Sequence, residues 1–446
     1  MRLTILGGGG FRVPLVYRAL LEDRGEGRIT HVTLHDLDPA RLSAISRVLR
    51  DQAVGAADPP ELAVTTDLDA AVAKSDFIFC AIRVNGLEGR AADERIALDE
   101  GVLGQETVGA GGISYGLRTV PVMADIARRI AALAPEAWVI NFTNPAGLVT
   151  EAMAAHLGDR VIGICDSPVG LGRRVAGALG VDPAAARFDY VGLNHLGWLR
   201  GLRVDGRDHL PRLFEDDARL TSFEEGRLFG AEWLRTLGAV PNEYLHYYYF
   251  SRETVAAARA AAQTRGAFLL EQQRGFYERA DDDGESALAA WDRARHEREI
   301  TYMAENREAA SAGDRDSCDL ESGGYEKLAL TLMRAIATNR HSTLILNVRN
   351  RRTLGVLEAD AVIEVPCLVD ANGPRPLATD PVPRYAAGLM CSVKAVDRDV
   401  IEAAATGSRT LAVRALAGHP LVDSVTVARR LLDGYRASLP GLAYLR

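Results

Sequence analysis

Cysteine is scarce in this chain: five in 446 residues (Cys80, Cys165, Cys318, Cys367 and Cys391), odd in number and widely spaced. That usage argues against a disulfide framework and for a reducing compartment. Basic charge is not in excess either, and a net charge of −8 leaves no electrostatic footprint for nucleic acid. No apolar run reaches the length that spans a bilayer, so no membrane partner is expected. The opening Met1-Arg2-Leu3-Thr4-Ile5-Leu6 meets a glycine cluster without an apolar signal core or a cleavage site. Internal repeats, low-complexity tracts and linkers are missing as well. These absences predict a cytoplasmic soluble protein. What is present is ordinary for an enzyme, with 48% hydrophobic and 25% charged residues. A chain of 446 residues exceeds one ordinary core, and two domains are expected.

The first strand, Leu3 to Leu6, runs into Gly7-Gly8-Gly9-Gly10-Phe11-Arg12 and then a helical pattern from about Val13 to Leu21. Strand, glycine turn and helix start form the arrangement that cradles a pyrophosphate, although Arg12 stands where the last glycine of G-x-G-x-x-G is expected. A second strand, Thr30 to His35, ends on Asp36, the type of residue that bonds the ribose hydroxyls of NAD and repels the extra phosphate of NADP. Further strands at Asp76–Ile82 and Ala137–Ile140 alternate with helices. The expected fold is therefore α/β, with a Rossmann-like, doubly wound parallel sheet over residues 1–195. A C-terminal α+β, largely helical, catalytic domain is expected over residues 196–446. There, Trp198–Leu213 reads as hairpin material turning at Asp205-Gly206-Arg207, and the charged run Glu278–Arg298 reads as a solvated helix face. Strands return at Ser342–Val348 and Ala361–Val365.

Two short apolar runs end on metal-capable side chains: Val161-Ile162-Gly163-Ile164 on Cys165, and Val191-Gly192-Leu193-Asn194 on His195. A thiolate and an imidazole delivered by two strand ends could hold one borderline metal ion, whereas either residue alone reads as core. Asn141-Phe142-Thr143-Asn144-Pro145 puts two carboxamides at a strand end, where they bond sugar hydroxyls or simply make a turn. Gly104 to Gly112 is dense in glycine and carries Glu106; Tyr244 opens a tyrosine cluster that reads equally as packing.

In order along nearly the whole chain, these markers resemble the NAD- and metal-dependent glycosidases of glycoside hydrolase family 4. They are joined by Gly86–Arg90, Asn347-Val348-Arg349-Asn350 and Glu364-Val365-Pro366-Cys367. That family is an exception among glycosidases, which ordinarily work with two carboxylates. The resemblance implies hydride removal from C3 of the sugar by NAD, loss of the C2 proton, elimination of the leaving group, addition of water and return of the hydride. It implies Cys165 and His195 as ligands of a divalent metal, usually manganese, and Tyr244 as the C2 base. Asp166 would serve as general acid. Arg90 and Arg265 fall on the phosphate-contacting arginines, with Asn144, Asn194 and Glu106 completing the substrate site. The favoured partner is a phosphorylated small-molecule glycoside, a 6-phospho-β-glucoside, and a homodimer or homotetramer is expected. The residue after the metal Cys is typically Asn in 6-phospho-β-glucosidases and Asp, within Cys-Asp-Met-Pro, in the α enzymes. Cys165-Asp166-Ser167-Pro168 matches neither fully, so a 6-phospho-α-glucosidase is one alternative and a net NAD-dependent sugar dehydrogenase another.

Overall fold

The structure, a computed structural model, describes residues 1–279, 286–310, 312 and 324–446; Cys318 and residues 280–285 of the charged run lie outside the described residues. The parallel strands are β1 (Arg2–Leu6), β2 (His31–His35), β3 (Glu61–Thr65), β4 (Phe77–Cys80), β5 (Trp138–Asn141) and β6 (Val161–Gly163). They lie in the order β6-β5-β4-β1-β2-β3, so the chain changes direction between β1 and β4. Ligands collect at such a switch point, outside the carboxyl ends of the strands. The reason β4 sits inside is visible in its side chains. Phe77 and Phe79 enter one core while Ile78 and Cys80 enter the core on the opposite face. A run that is apolar on both faces needs helices on both sides. β3 was not expected from the sequence, because this short edge strand buries none of its side chains fully and its apolar run is only Leu62-Ala63-Val64.

The sheet does not stop at β6. Six of the remaining strands are β7 (Arg187–Leu193), β8 (Leu196–Val204), β9 (Arg207–Asp208), β10 (Val240–Pro241), β11 (Ser342–Arg349) and β12 (Val362–Asp370), followed by β13 (Gly373–Pro376). They extend it in antiparallel fashion to 13 strands among the described residues. The joins are narrow: Asn347 of β11 faces Gly163 of β6, and Glu364 of β12 faces Gly192 of β7. The expected domain boundary at residue 195 thus falls in the turn between β7 and β8, inside one continuous sheet. Helices Arg384–Thr406 and Val425–Ser438 also return, bringing Val400, Leu431 and Tyr435 into the core that holds Ile78. Among the described residues, no helix is long and apolar enough to cross a membrane.

Candidate functional site

The loops after β1, β2 and β4 open onto a cavity of about 1080 Å³ at the carboxyl edge of the sheet. Gly7 leaves β1 with φ +83°, and a Cβ there would stand 2.6 Å from the Ala81 carbonyl oxygen. Only glycine lets the backbone turn this close to β4. Gly7 and Gly8 both donate to the His35 carbonyl, at 2.9 and 2.7 Å, which ties the turn to β2. Gly7, Gly10, Phe11 and Arg12 line the cavity; Gly8 and Gly9 do not. They pack instead against Leu34 and Arg41. Asp36 stands at the cavity wall, where Oδ2 accepts from the Gly9 amide at 3.0 Å and Oδ1 from the Asp38 amide at 3.2 Å. Phe11 is largely committed to packing, edge-on to Phe276 with ring centroids 5.5 Å apart.

A second cavity, of about 780 Å³, shares Arg12, Glu106, Phe142, Asn144 and Arg298 with the first, so the two open into one another. Cys165 follows β6 on its wall, and Asp166 stands beside it at the position before the helix Ser167–Leu179. Burial pushes the Cys165 thiol well above its ordinary range, and Glu364 and Asp166 push it further. A thiolate here therefore needs a cation. His195 is on the same wall, just past the end of β7, which runs antiparallel to β8. Leu193 pairs with Leu196, so Asn194 and His195 form a two-residue hairpin turn, with His195 at φ +60°. Its Nδ1 lies 2.8 Å from the Thr107 hydroxyl, and its ring stacks on Tyr244 at 3.6 Å. Burial lowers His195 to about 4, which keeps the imidazole neutral as a metal ligand must be. A sulfur and a nitrogen donor, with the ring oriented by a hydroxyl behind it, fit a borderline divalent ion. Among the described residues no group of three or more His, Cys, Asp or Glu could hold an ion. Cys165 and His195 are thus two potential side-chain ligands on one cavity wall.

Tyr244 sits in the single turn Glu243–Leu245, pinned by its amide donating to Asn242 Oδ1 at 2.9 Å. Its hydroxyl accepts from Tyr302 Oη at 3.1 Å. Burial first, then Tyr302 and Glu243, drive its proton affinity well above that of an ordinary tyrosine. Asp166 Oδ2 is 3.5 Å from Arg12 Nη2, and that guanidinium lies 4.4 Å over the Tyr325 ring. Burial would raise the Glu106 carboxyl, but Arg90 and Arg83 outweigh it and hold the group below the usual carboxylate range. Their Nη atoms stand 2.8 and 2.9 Å from Glu106 Oε2. Asn144 lines both large cavities and accepts from the Ala146 amide at 3.3 Å. Asn194 accepts from that same amide at 3.2 Å. Asn194 lines neither large cavity but a separate one of about 50 Å³, because the hairpin turn presents His195 and sets Asn194 against the helix Ala146–Leu157. Arg90 and Arg265 line a further cavity, of about 80 Å³, beside Tyr244 and Tyr302.

Comparison with known proteins decides the family. Residues 2–181 match the model of family 4 glycosyl hydrolases, and residues 190–422 match that of the family 4 glycosyl hydrolase C-terminal domain. A probable 6-phospho-β-glucosidase of Bacillus subtilis is 30% identical over 99% of this chain and 97% of its own length. The chain belongs to glycosyl hydrolase family 4. The 6-phospho-β-glucosidase of Thermotoga maritima, solved with NAD and glucose-6-phosphate, superposes with a TM-score of 0.84 at 25% identity, covering 100% of both chains. A 6-phospho-α-glucosidase from gut microorganisms, solved with NAD and Mn2+, gives 0.80 at 26% identity over 99% of this chain and 98% of its own.

Within this family-4 chain, the expected Cys165, Asp166, His195, Tyr244, Glu106 and Asn144 come together in one cavity from distant parts of the sequence. Sequence reasoning missed Arg298, Tyr302 and Asn306. Arg298 was hidden in the charged run read as a solvated face, yet it lines the cavities of about 1080, 780 and 80 Å³. Tyr302 and Asn306 lie outside any motif.

Proposed function

We propose that the chain hydrolyses 6-phosphoglucosides, β-linked ones in preference, by oxidation, elimination, addition and reduction with NAD and a divalent metal, manganese foremost. The observation that carries this reading is the union of the two large cavities. A site built on a glycine turn and Asp36 opens directly onto one holding Cys165, His195 and Tyr244. When bound, the dinucleotide would supply a hydride acceptor for C3 of the sugar, and the metal a Lewis acid for its C2 and C3 oxygens. Gly7, Gly10 and Asp36 would hold the former; Cys165 and His195 the latter.

The chain's own residues then do the following. Tyr244 takes the C2 proton, which the C3 ketone has made acidic, as a phenolate. Its own proton leaves to solvent, a cation held by Cys165 and His195 would favour that loss against burial, and Tyr302 donates to the oxygen. The stack on His195 keeps the phenol at the metal-facing wall. Asn144 and Glu106 stand where both cavities meet and bind sugar hydroxyls. Asp166 delivers a proton to the departing oxygen, and Arg12 fixes its carboxylate. Asp166 is also the one observation that favours an α-linked substrate, because it places a carboxyl where the β enzymes typically carry Asn.

A hydrolysis screen tests both readings: paired α- and β-linked nitrophenyl glucosides, with and without a 6-phosphate, given NAD, manganese and a thiol. The expected result is sustained turnover of the phosphorylated β-glucoside without accumulation of NADH. Turnover of only the α-linked partner transfers the assignment to 6-phospho-α-glucosides. One NADH released per turnover would instead make the protein a net sugar dehydrogenase.

A further inference from the structure

Besides Glu106, the glycine-dense run from Gly104 to Gly112 carries Gln105 and Thr107, and these two form an ordered chain of hydrogen bonds that ends on His195. Gln105 Oε1 accepts from the Thr107 amide at 2.6 Å, from the Val108 amide at 3.0 Å and from the Thr107 hydroxyl at 2.9 Å. Thr107 Oγ1 lies in turn 2.8 Å from His195 Nδ1. The glycines make room for this loop. A Cβ on Gly111 would overlap the Gln105 carbonyl oxygen, and one on Gly112 the Thr107 carbonyl carbon. Glycine at both positions lets the helix Gly109–Leu133 start directly against residues 105–107.

The direction of each proton follows from what these atoms can give. Two backbone N–H groups are met only by the carbonyl end of the Gln105 amide, and that oxygen has no proton to donate. The Thr107 hydroxyl has one proton, and it points to Gln105. Turned the other way, it would leave two oxygens 2.9 Å apart with lone pairs facing and no hydrogen between them. With its proton so placed, Thr107 Oγ1 can only accept from His195. A neutral imidazole, the form that binds a metal, carries one N–H, so Nδ1 holds the proton and Nε2 keeps its lone pair. The stack on Tyr244 fixes the plane of the ring, the two rings lying within 5° of parallel, but a half-turn of the imidazole would preserve that plane. The bond to Thr107 selects between the two settings, since the turned ring would set a carbon against the hydroxyl.

We propose that Gln105, acting through Thr107, holds His195 as the Nδ1–H tautomer, so that Nε2 is the nitrogen offered to the divalent metal. Gln105 and Thr107 are positioning residues, and the proposal rests on the reading of Cys165 and His195 as the metal's ligands. An imidazole carrying its proton on Nε2 has to give up that proton before it can bind an ion there. The relay from Gln105 sets the lone pair in advance.

The test uses the full chain, metal-free, with nitrogen-15 in its histidine rings. Long-range coupling to the ring protons tells Nδ1 from Nε2 by nuclear magnetic resonance, and the signals missing from His195→Ala identify those of His195. In the wild type Nδ1 should carry the proton and Nε2 should be bare. Thr107→Val keeps the shape and removes the hydroxyl; it should move protons onto Nε2 and weaken manganese binding, measured by calorimetry, by about 10- to 100-fold. Thr107→Ser should restore both. Gln105→Met removes the acceptor and should shift the tautomer in the same direction. Should Gln105→Met fail to fold, the wild-type spectrum and the Thr107 pair still decide, because a bare Nδ1 means that Thr107 donates to His195 and not to Gln105. A bare Nδ1 in the wild type overturns the proposal, as does unchanged manganese affinity in Thr107→Val. So does an equal loss in Thr107→Ser, which would make the effect one of packing. Failure of the metal reading also overturns it and is distinguishable: His195→Ala would keep wild-type manganese affinity although Nδ1 of the wild type carries its proton.

Discussion

Replacing Glu364 by Gln should flatten part of the protein's pH dependence of stability. Glu364 lies on β12 with no surface exposed; Oε1 accepts from Asn347 Nδ2 at 2.8 Å and Oε2 from Tyr190 Oη at 3.2 Å. Burial raises its carboxyl from the ordinary 4.5 to about 7, against the pull of those bonds. An acid with a raised folded-state value keeps its proton longer in the folded chain. Its contribution to stability is full below about 4.5, declines as pH rises, and is lost through about 7. A rise of that size corresponds to about 3 kcal/mol, of which about 2 to 3 should disappear between pH 5 and 8. Gln cannot ionise, so it removes this loss while keeping the shape. The assay is urea unfolding of chelator-treated protein, followed by tryptophan fluorescence across that pH range. The difference in unfolding free energy between wild type and variant should move with pH by that amount, wild type losing ground as pH rises. Parallel curves for the two proteins would refute the reasoning. Glu243, raised to about 7 by burial and by Glu225, adds a loss of the same sign to both proteins, and because it also bears on Glu364 the difference reports the pair.

Cys165→Ser and His195→Ala should each abolish manganese binding by calorimetry while NAD binding persists; wild-type manganese affinity in either variant would remove that residue from the metal. Tyr244→Phe keeps the stack on His195 but should lose turnover by on the order of 10²–10⁴-fold, together with deuterium uptake at C2 in heavy water. Near-normal turnover in this variant, without a C2 isotope effect in the wild type, would sink the elimination route. Asp166→Asn should spare aryl glycosides, whose leaving groups need no acid, and slow alkyl glycosides markedly. Equal slowing of both would make Asp166 a structural partner of Arg12.

The parallel half of the sheet was legible because its inner strands are apolar on both faces and each ends on a loop with distinctive chemistry. β3 was not, since it sits at the edge with only Leu62-Ala63-Val64 apolar and no side chain fully buried. The sequence reading placed His195 at a strand end because Val191 to Leu193 is apolar. Apolar residues resume at Leu196, however, and Asn194-His195 is a two-residue spacer of the kind that closes a hairpin. The difference matters for chemistry. At the turn the imidazole is held between Thr107 and Tyr244.

The helical region shows where such reading runs out. Hydrophobic periodicity reports which side of a helix meets the core, and it assigns the opposite side to solvent by default. In the helix Ala287–Ile300, Trp291 and Ala294 follow that rule and are buried, and Glu297 is exposed. Arg298 breaks it, because the polar side of this helix end meets a cavity built by distant segments. Nothing in the spacing of residues 286–300 distinguishes a guanidinium facing water from one facing a ligand. The distinction comes from what surrounds it: Arg12 from the first loop, Arg90 from the helix Gly86–Asp99, and Arg265 gripping the backbone of Arg298 itself. A charge that the fold gathers among like charges on a cavity wall is a feature that only the assembled chain can reveal.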